Sequence, residues 1–145
     1  MIGVDTNVLV RLLTGDEAQQ AAEAKALTDS LSPTRRGYVS RIVLVETYWV
    51  LTRAYGLPPR EVVDQFVALT QSPDVVVDAP QDVVTAARRV QEGVDFPDAL
   101  IDAETRRAGC SAVASFDQRA QKRLRWVAPV SITNPTEETD DAPLR

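Results

Sequence analysis

The stretch that decides the fold is Ile2-Gly3-Val4-Asp5, which is followed at once by Thr6-Asn7-Val8-Leu9. Three uncharged residues predict a short strand that ends at Asp5, and the apolar residues after it, at helical spacing, predict a helix over residues 7–14. Asp5 therefore stands at the carboxyl end of a strand. In an open parallel sheet, that edge is where ligands bind.

The same alternation of short strands and helices continues along the chain. Further strands are predicted at residues 37–39, 75–77, 112–114 and 130–132, which makes five with the first. Further helices are predicted at residues 17–31 (capped by Asp16), 41–55 (capped by Ser40), 59–72, 81–92, 95 or 96 to 109, and 118–124. This pattern is typical of an α/β fold with a central, mostly parallel five-stranded sheet flanked by helices on both faces.

The boundaries of the domain follow from composition. Residues 1–133 carry the strand and helix pattern and predict a single domain, whereas residues 134–145 are polar and acidic and predict a flexible tail. No apolar run approaches the roughly 20 residues that cross a bilayer, and the first residues lack the features of a secretory signal. A cytoplasmic location is therefore expected.

The composition also narrows the chemistry. The chain has no histidine and one cysteine, Cys110, which excludes histidine acid–base catalysis and a thiolate or histidine zinc site within one chain. Its net charge of −5 is unusual for a protein that binds a phosphate backbone, unless some carboxylates hold cations.

Two acidic residues follow predicted strands. Asp5 follows the first strand, and Asp117 follows the fourth within Ser115-Phe116-Asp117. Each also stands before a predicted helix, where an aspartate side chain commonly caps free backbone amides. The sequence leaves both interpretations open: a helix cap, or a carboxylate at the ligand-binding edge of the sheet.

Two other acidic residues lie within helices. Glu46 interrupts an apolar helix, so it either needs a partner, a metal or an opening to solvent, or shares a narrow solvent-facing stripe with Arg53. Asp98 lies in the first turn of its helix, where the helix dipole favours an anion. Asp102 is one turn further, where like charges repel by roughly 0.2–0.5 kcal/mol, and is expected to point to solvent.

Jointly, Asp5, Asp98 and Asp117 are expected at one edge of the sheet. Carboxylates gathered without histidine or a basic counter-ion are suited to hold Mg²⁺ or Mn²⁺.

These residues belong to motifs that carry a family resemblance. The motifs are Val4-Asp5-Thr6-Asn7-Val8-Leu9, Glu46 within its apolar helix, Phe96-Pro97-Asp98-Ala99-Leu100-Ile101 and Ser115-Phe116-Asp117. In order and spacing they resemble the PIN domain, specifically the VapC toxins of bacterial toxin–antitoxin pairs. The resemblance extends over about residues 1–132.

The resemblance implies a metal-dependent endoribonuclease that hydrolyses RNA phosphodiester bonds. It implies that Asp5, Glu46, Asp98 and Asp117 form an acidic, catalytic quartet around one or two Mg²⁺ or Mn²⁺ ions. Thr6 and Asn7 would support Asp5, and Ser115 stands at a hydroxyl position that is often threonine in such proteins. No catalytic role is assigned to Asp95 or Asp102.

The resemblance also implies partners: an RNA substrate, a VapB-like antitoxin that holds the toxin inactive, and a second copy in a homodimer. Basic residues close to Asp117 are candidate phosphate contacts, although each is also typical of a solvated helix face. They are Arg119, Lys122, Arg123 and Arg125.

An apolar set on two helices is interpreted as core, with a groove for an antitoxin helix as the alternative. It comprises Tyr48, Trp49, Leu51, Val62, Val63, Phe66 and Val67.

Three other functions are alternatives to this one. A haloacid-dehalogenase-like phosphatase needs a second aspartate two residues after the first, and that position is Asn7. A phospho-acceptor receiver domain, with Asp78 as acceptor, needs a lysine near Val130, where none occurs. A PIN-like protein that binds RNA without cutting it is the third alternative.

Overall fold

The computed structural model describes residues 1–134 and divides the chain into two compact units, Met1–Glu104 and a second unit that begins at Thr105. Of the predicted acidic tail, all but Asn134 lies outside the described residues. The single domain over residues 1–133 stays a prediction.

A parallel sheet of three strands forms the centre of the first unit. The strands are β1 (Ile2–Gly3), β2 (Gly37–Val39) and β3 (Val75–Val77), in the order β1-β2-β3. Ile2 pairs with Gly37, and Val39 pairs with Val77. Because all three strands run in one direction, the residues that follow them meet at one edge.

Helices flank this sheet and follow the strands in sequence. They are α1 (Thr6–Thr14), α2 (Ala18–Asp29), α3 (Arg41–Trp49), α4 (Pro59–Gln71), α5 (Pro80–Gln91) and α6 (Phe96–Arg107), with a π-helical turn, Val50–Ala54, directly after α3. The helix α4 packs against β3 and α5, and α1 packs against α2 and α3. The prediction of a helix-flanked parallel sheet is thereby confirmed in outline.

Local signals account for most of the helix ends. The Ser40 hydroxyl accepts a hydrogen bond from the Val43 amide at 3.2 Å, so the predicted cap of α3 is confirmed. Pro59 begins α4, as expected for a residue whose missing amide costs nothing in the first turn. Gly56, at a φ of 66°, follows the π-helical turn in the left-handed conformation that glycine adopts without strain.

The predicted cap of α2 is wrong. The Glu17 side chain, not Asp16, accepts the Gln20 amide at 2.9 Å. Asp16 instead accepts hydrogen bonds from the hydroxyls of Tyr55 and Thr14 and pairs with Arg11. These contacts, chiefly the one from Tyr55, lower the pKa of Asp16 below its usual value of 3.8.

The core of the first unit is closed by an aromatic cluster. The Phe96 ring lies between Tyr48 and Phe66, with ring centroids 5.4 Å and 5.3 Å away. The predicted apolar set is buried at Tyr48, Leu51, Val62, Val63 and Phe66, whereas Trp49 is exposed and Val67 is partly exposed. For these helices, the interpretation as core is largely correct.

The second unit contains α7 (Gln118–Leu124), at its predicted bounds, and α8 (Pro129–Thr133). The prediction of five strands is wrong: the sheet of the described residues has three. At the predicted fourth strand, Ala114 forms one isolated parallel bridge with Val127. At the predicted fifth strand the chain is helical, because Pro129 begins a helix and the exposed Val130 and Ile132 have no buried sheet face to cover.

Within residues 1–134, no helix is both long and apolar enough to cross a membrane.

Candidate active site

Asp5 lies at the carboxyl end of β1 and at the N-cap position of α1. Its backbone is extended, but its side chain makes no capping hydrogen bond and is exposed. An aspartate at this position normally accepts an amide of the first turn. Of the two interpretations from sequence, the helix cap is therefore wrong for Asp5, and its carboxylate stands open at the edge of the sheet.

Glu46 is held by the residue next to Asp5. The buried Thr6 hydroxyl donates a hydrogen bond to Glu46 Oε2 at 2.5 Å, and this contact joins the start of α1 to α3. Glu46 is exposed, as is Arg53, whose guanidinium lies 5.3 Å from the centroid of the Trp49 ring. The interpretation of a solvent-facing stripe shared by Glu46 and Arg53 is therefore correct. The hydrogen bond from Thr6 also fixes the direction of the Glu46 carboxylate.

Replacing Thr6 by valine tests this contact, because the two side chains have nearly the same shape. We expect the free energy of unfolding to fall by about 1 kcal/mol, the usual contribution of one hydrogen bond. We also expect divalent-ion affinity, measured by calorimetry, to fall about 10- to 100-fold, as when a ligand loses its orienting partner. Thr6→Ser keeps the hydroxyl and should keep the affinity; equal losses in both variants would contradict the prediction.

Asp98 lies in the first turn of α6 and is partly buried. The residue before α6, Asp95, accepts a hydrogen bond from the Tyr48 hydroxyl at 3.0 Å, so the start of α6 is tied to α3. Asp102 is 9% exposed, so the prediction that it points to solvent is wrong. The helix turns that side chain inward, among the buried residues of its apolar face.

The contact between Tyr48 and Asp95 predicts a pH dependence. Burial, reinforced by the nearby Asp95 charge, raises the pKa of Tyr48 from 10.0 to about 12. The pKa of Tyr48 is higher in the folded protein than in the unfolded chain. The stability that protonated Tyr48 contributes is therefore complete below pH 10 and is lost as pH rises through about 12. We expect this loss, at most about 2–3 kcal/mol in denaturant titrations, in the wild type and not in Tyr48→Phe. Identical pH profiles in the two proteins would contradict it.

An ion-pair cluster that the sequence did not predict also lies at this edge. Arg41, the first residue of α3, contacts Asp78 Oδ2 at 2.8 Å and Glu104 Oε1 at 2.8 Å. Asp78 follows β3, and Glu104 lies on α6. The hydrogen bond to Asp78, with the charge of Glu104, raises the pKa of Arg41. The sequence held one indication of this ion-pair cluster, which is that Arg41 and Asp78 each come shortly after a strand.

Asp117 lies in the second unit, and there the helix cap is correct. Its Oδ1 accepts the amides of Arg119 at 2.8 Å and Ala120 at 3.0 Å. Both capping bonds use the same oxygen, which leaves Oδ2 for another contact. The Ser115 hydroxyl accepts the Asp117 amide at 3.0 Å, so the predicted supporting position touches the backbone of Asp117.

The donor atoms suit a hard divalent ion, because they are carboxylate oxygens. Among residues 1–134, no three acidic, cysteine or histidine side chains are grouped closely enough to hold an ion together. Mg²⁺, however, is commonly bound by one or two carboxylates with water and substrate phosphate supplying the rest. The open Asp5 and the oriented Glu46 fit that requirement.

The fold agrees with a comparison to known families. The model of the PIN domain matches residues 2–127, and the chain belongs to this family. No curated protein matches it at a significant level. PIN domains are generally metal-dependent nucleases, so membership supports a nuclease, a hydrolase in the general sense.

Proposed function

We propose that the protein is a metal-dependent endoribonuclease of the VapC type. It would hydrolyse RNA phosphodiester bonds as the toxin of a toxin–antitoxin pair. The proposal rests on membership of the PIN family and on one observation in the first unit, the way in which α3 and α6 are joined.

Two polar contacts join these helices, one towards each end. Tyr48, near the end of α3, contacts Asp95 at the start of α6, and Arg41, at the start of α3, contacts Glu104 further along α6. The helices therefore run in opposite directions. Glu46 lies two residues from the first contact, and Asp98 lies three residues from it. Because the helices are antiparallel, Glu46 and Asp98 lie at nearly the same level along them. This placement supports a role for the two carboxylates as a pair.

The proposed ligands of one or two Mg²⁺ or Mn²⁺ ions are Asp5, Glu46, Asp98 and Asp117. A bound divalent ion supplies charge that polarises the scissile phosphate and offsets the negative charge of the transition state. Thr6 orients Glu46 through its hydroxyl. Asn7, exposed in the first turn of α1, would assist Asp5, and Ser115 would assist Asp117 through the backbone amide that its hydroxyl accepts.

Holding RNA requires cations, because the chain as a whole is acidic. The basic residues of the second unit that were predicted to contact phosphate are all exposed: Arg119, Lys122, Arg123 and Arg125. They lie on α7 and just after it, within eight residues of Asp117. An exposed basic helix beside a candidate ligand supports phosphate binding close to the site of cleavage.

The partners are part of the proposal. A VapB-like antitoxin and a second copy of the chain would each cover apolar surface. On α3 and α6, Ile42, Trp49 and Ile101 are exposed large apolar residues that such a partner could bury.

The test is incubation of the purified, antitoxin-free protein with total bacterial RNA in Mg²⁺, in Mn²⁺ and in a chelator. Discrete fragments that appear only with a divalent ion would support the proposal and indicate the RNA that is cut. Absence of cleavage from folded protein, with either ion, would overturn it.

One observation favours a second candidate, a PIN-domain protein that binds RNA without cutting it. Residues 1–134 contain no group of three potential metal ligands, as described above. The same incubation separates the two candidates, since a silent binder retards RNA in a gel and leaves its length unchanged. The receiver-domain alternative is not retained, because the Asp78 carboxylate is already engaged by Arg41.

A further inference from the structure

Phe116 is the most exposed large apolar side chain of the described residues. It is 88% exposed, although it lies between Ser115 and Asp117 in a turn with several hydrogen bonds. Core aromatic residues of this chain, such as Phe66 and Phe96, are fully buried. An aromatic ring presented to solvent is open to stacking with a planar group of a ligand.

The turn that carries Phe116 is fixed on both sides. The Ser115 amide donates to the Val127 carbonyl at 2.9 Å, and the Gln121 side chain donates to the Ser115 carbonyl at 2.5 Å. After the ring, Asp117 caps α7 through the amides of Arg119 and Ala120. The backbone on both sides of the exposed Phe116 ring is therefore anchored.

The segment that follows the ring in sequence is cationic. Four basic residues follow within nine positions, Arg119, Lys122, Arg123 and Arg125, and all four are exposed. The chain as a whole has a net charge of −5, so this segment is opposite in sign to the rest. An exposed aromatic ring beside clustered cations is the combination that binds single-stranded nucleic acid: the ring stacks on a base, and the cations contact the phosphates.

We propose that Phe116 is a base-stacking subsite for single-stranded RNA, next to the phosphate held near Asp117. This inference rests on the proposed function and adds to it a base contact at Phe116, beside the phosphate contacts of the cations that follow in sequence. A base within a duplex is already stacked on its neighbours and is not available to the ring.

The test measures RNA binding separately from cleavage. The probe is a fluorescein-labelled, single-stranded RNA of mixed sequence, titrated by anisotropy into the full chain in chelator, with the same strand in duplex form as comparison. Phe116→Ala and Phe116→Leu should each weaken single-strand binding about 5- to 150-fold. Phe116→Trp should bind as wild type, and duplex affinity should not change in any variant.

Phe116→Leu is the matched control, because it keeps an apolar side chain and removes the aromatic face. Wild-type affinity in Phe116→Leu or Phe116→Ala would overturn the inference. So would a change of oligomeric state in sedimentation of these variants with unchanged RNA affinity, which would show that the ring contacts protein. Because the ring is exposed, the variants should have the melting temperature of the wild type.

Cleavage is measured in parallel with Mg²⁺ or Mn²⁺. Wild-type cleavage with no dependence of affinity on Phe116 would overturn the subsite and leave the nuclease. Phe116-dependent binding without cleavage by the wild type would support the subsite and overturn the nuclease.

Discussion

Asp98→Asn is expected to abolish RNA cleavage and to leave the fold intact. The substitution keeps the shape of the side chain and removes one proposed metal ligand. Loss of a partner that merely orients a ligand costs about 10- to 100-fold, so loss of the ligand itself should cost more than about 100-fold in rate. The measurement is the initial rate on the RNA identified with the wild type, in saturating Mg²⁺ or Mn²⁺.

The control is an acid in the same structural setting. Glu61 lies in the first turn of α4, as Asp98 lies in the first turn of α6, and it is exposed. Both substitutions remove an anion that the helix dipole favours, so each should lower stability by about 0.3–1 kcal/mol. Glu61→Gln should cleave at the wild-type rate. Cleavage by Asp98→Asn at the wild-type rate would show that Asp98 is not part of the active site.

Phe96→Ala is expected to have the largest effect on stability. The Phe96 side chain is fully buried and packs on the rings of Tyr48 and Phe66. Truncation of such a residue leaves a cavity and costs about 3–5 kcal/mol. Because Phe96 begins α6, the variant should also position Asp98 less well and cleave more slowly. Equilibrium unfolding in urea, followed by circular dichroism, measures the first effect.

Phe116→Ala provides the comparison, since it removes the same atoms from an exposed position. Its effect on stability should stay within about 0.5 kcal/mol. Phe96→Leu keeps most of the buried volume, so its loss of stability should lie between those of Phe96→Ala and Phe116→Ala. A loss below about 1 kcal/mol in Phe96→Ala would show that the aromatic cluster is not the centre of the core.

The parts of the fold that could be predicted are those in which local and long-range preferences agree. Val75–Val77 is β-branched and partly buried, and it is a strand; Ser40 has a hydroxyl at the right place, and it caps α3. The predicted fifth strand failed because β-branched residues favour a strand only when a sheet is available to cover them. At Val130–Ile132, the proline before them decided the conformation instead.

For the candidate site, the sequence offered a set of residue types but not the contacts that these residues make. The order of the motifs indicated the four acids and a PIN-like domain. The family match confirms the PIN domain over residues 2–127, and the four acids stay a prediction. Periodicity could not show that Thr6 bonds Glu46 across 40 positions, or that Arg41 pairs with both Asp78 and Glu104. Those contacts depend on how helices cross, which is set by packing and not by any single segment.

The shortness of the strands has a consequence for how the chain folds. Each strand has two or three residues, and each pairing joins segments separated by a helical connection, as Ile2 with Gly37 and Gly37 with Val75. Few hydrogen bonds then compensate for closing a long loop, so the sheet is a poor nucleus. The neighbouring helices α4 and α5, which pack on each other while α4 also packs on β3, are the better starting point. Substitutions between them should slow refolding, whereas substitutions in β1 should mainly accelerate unfolding.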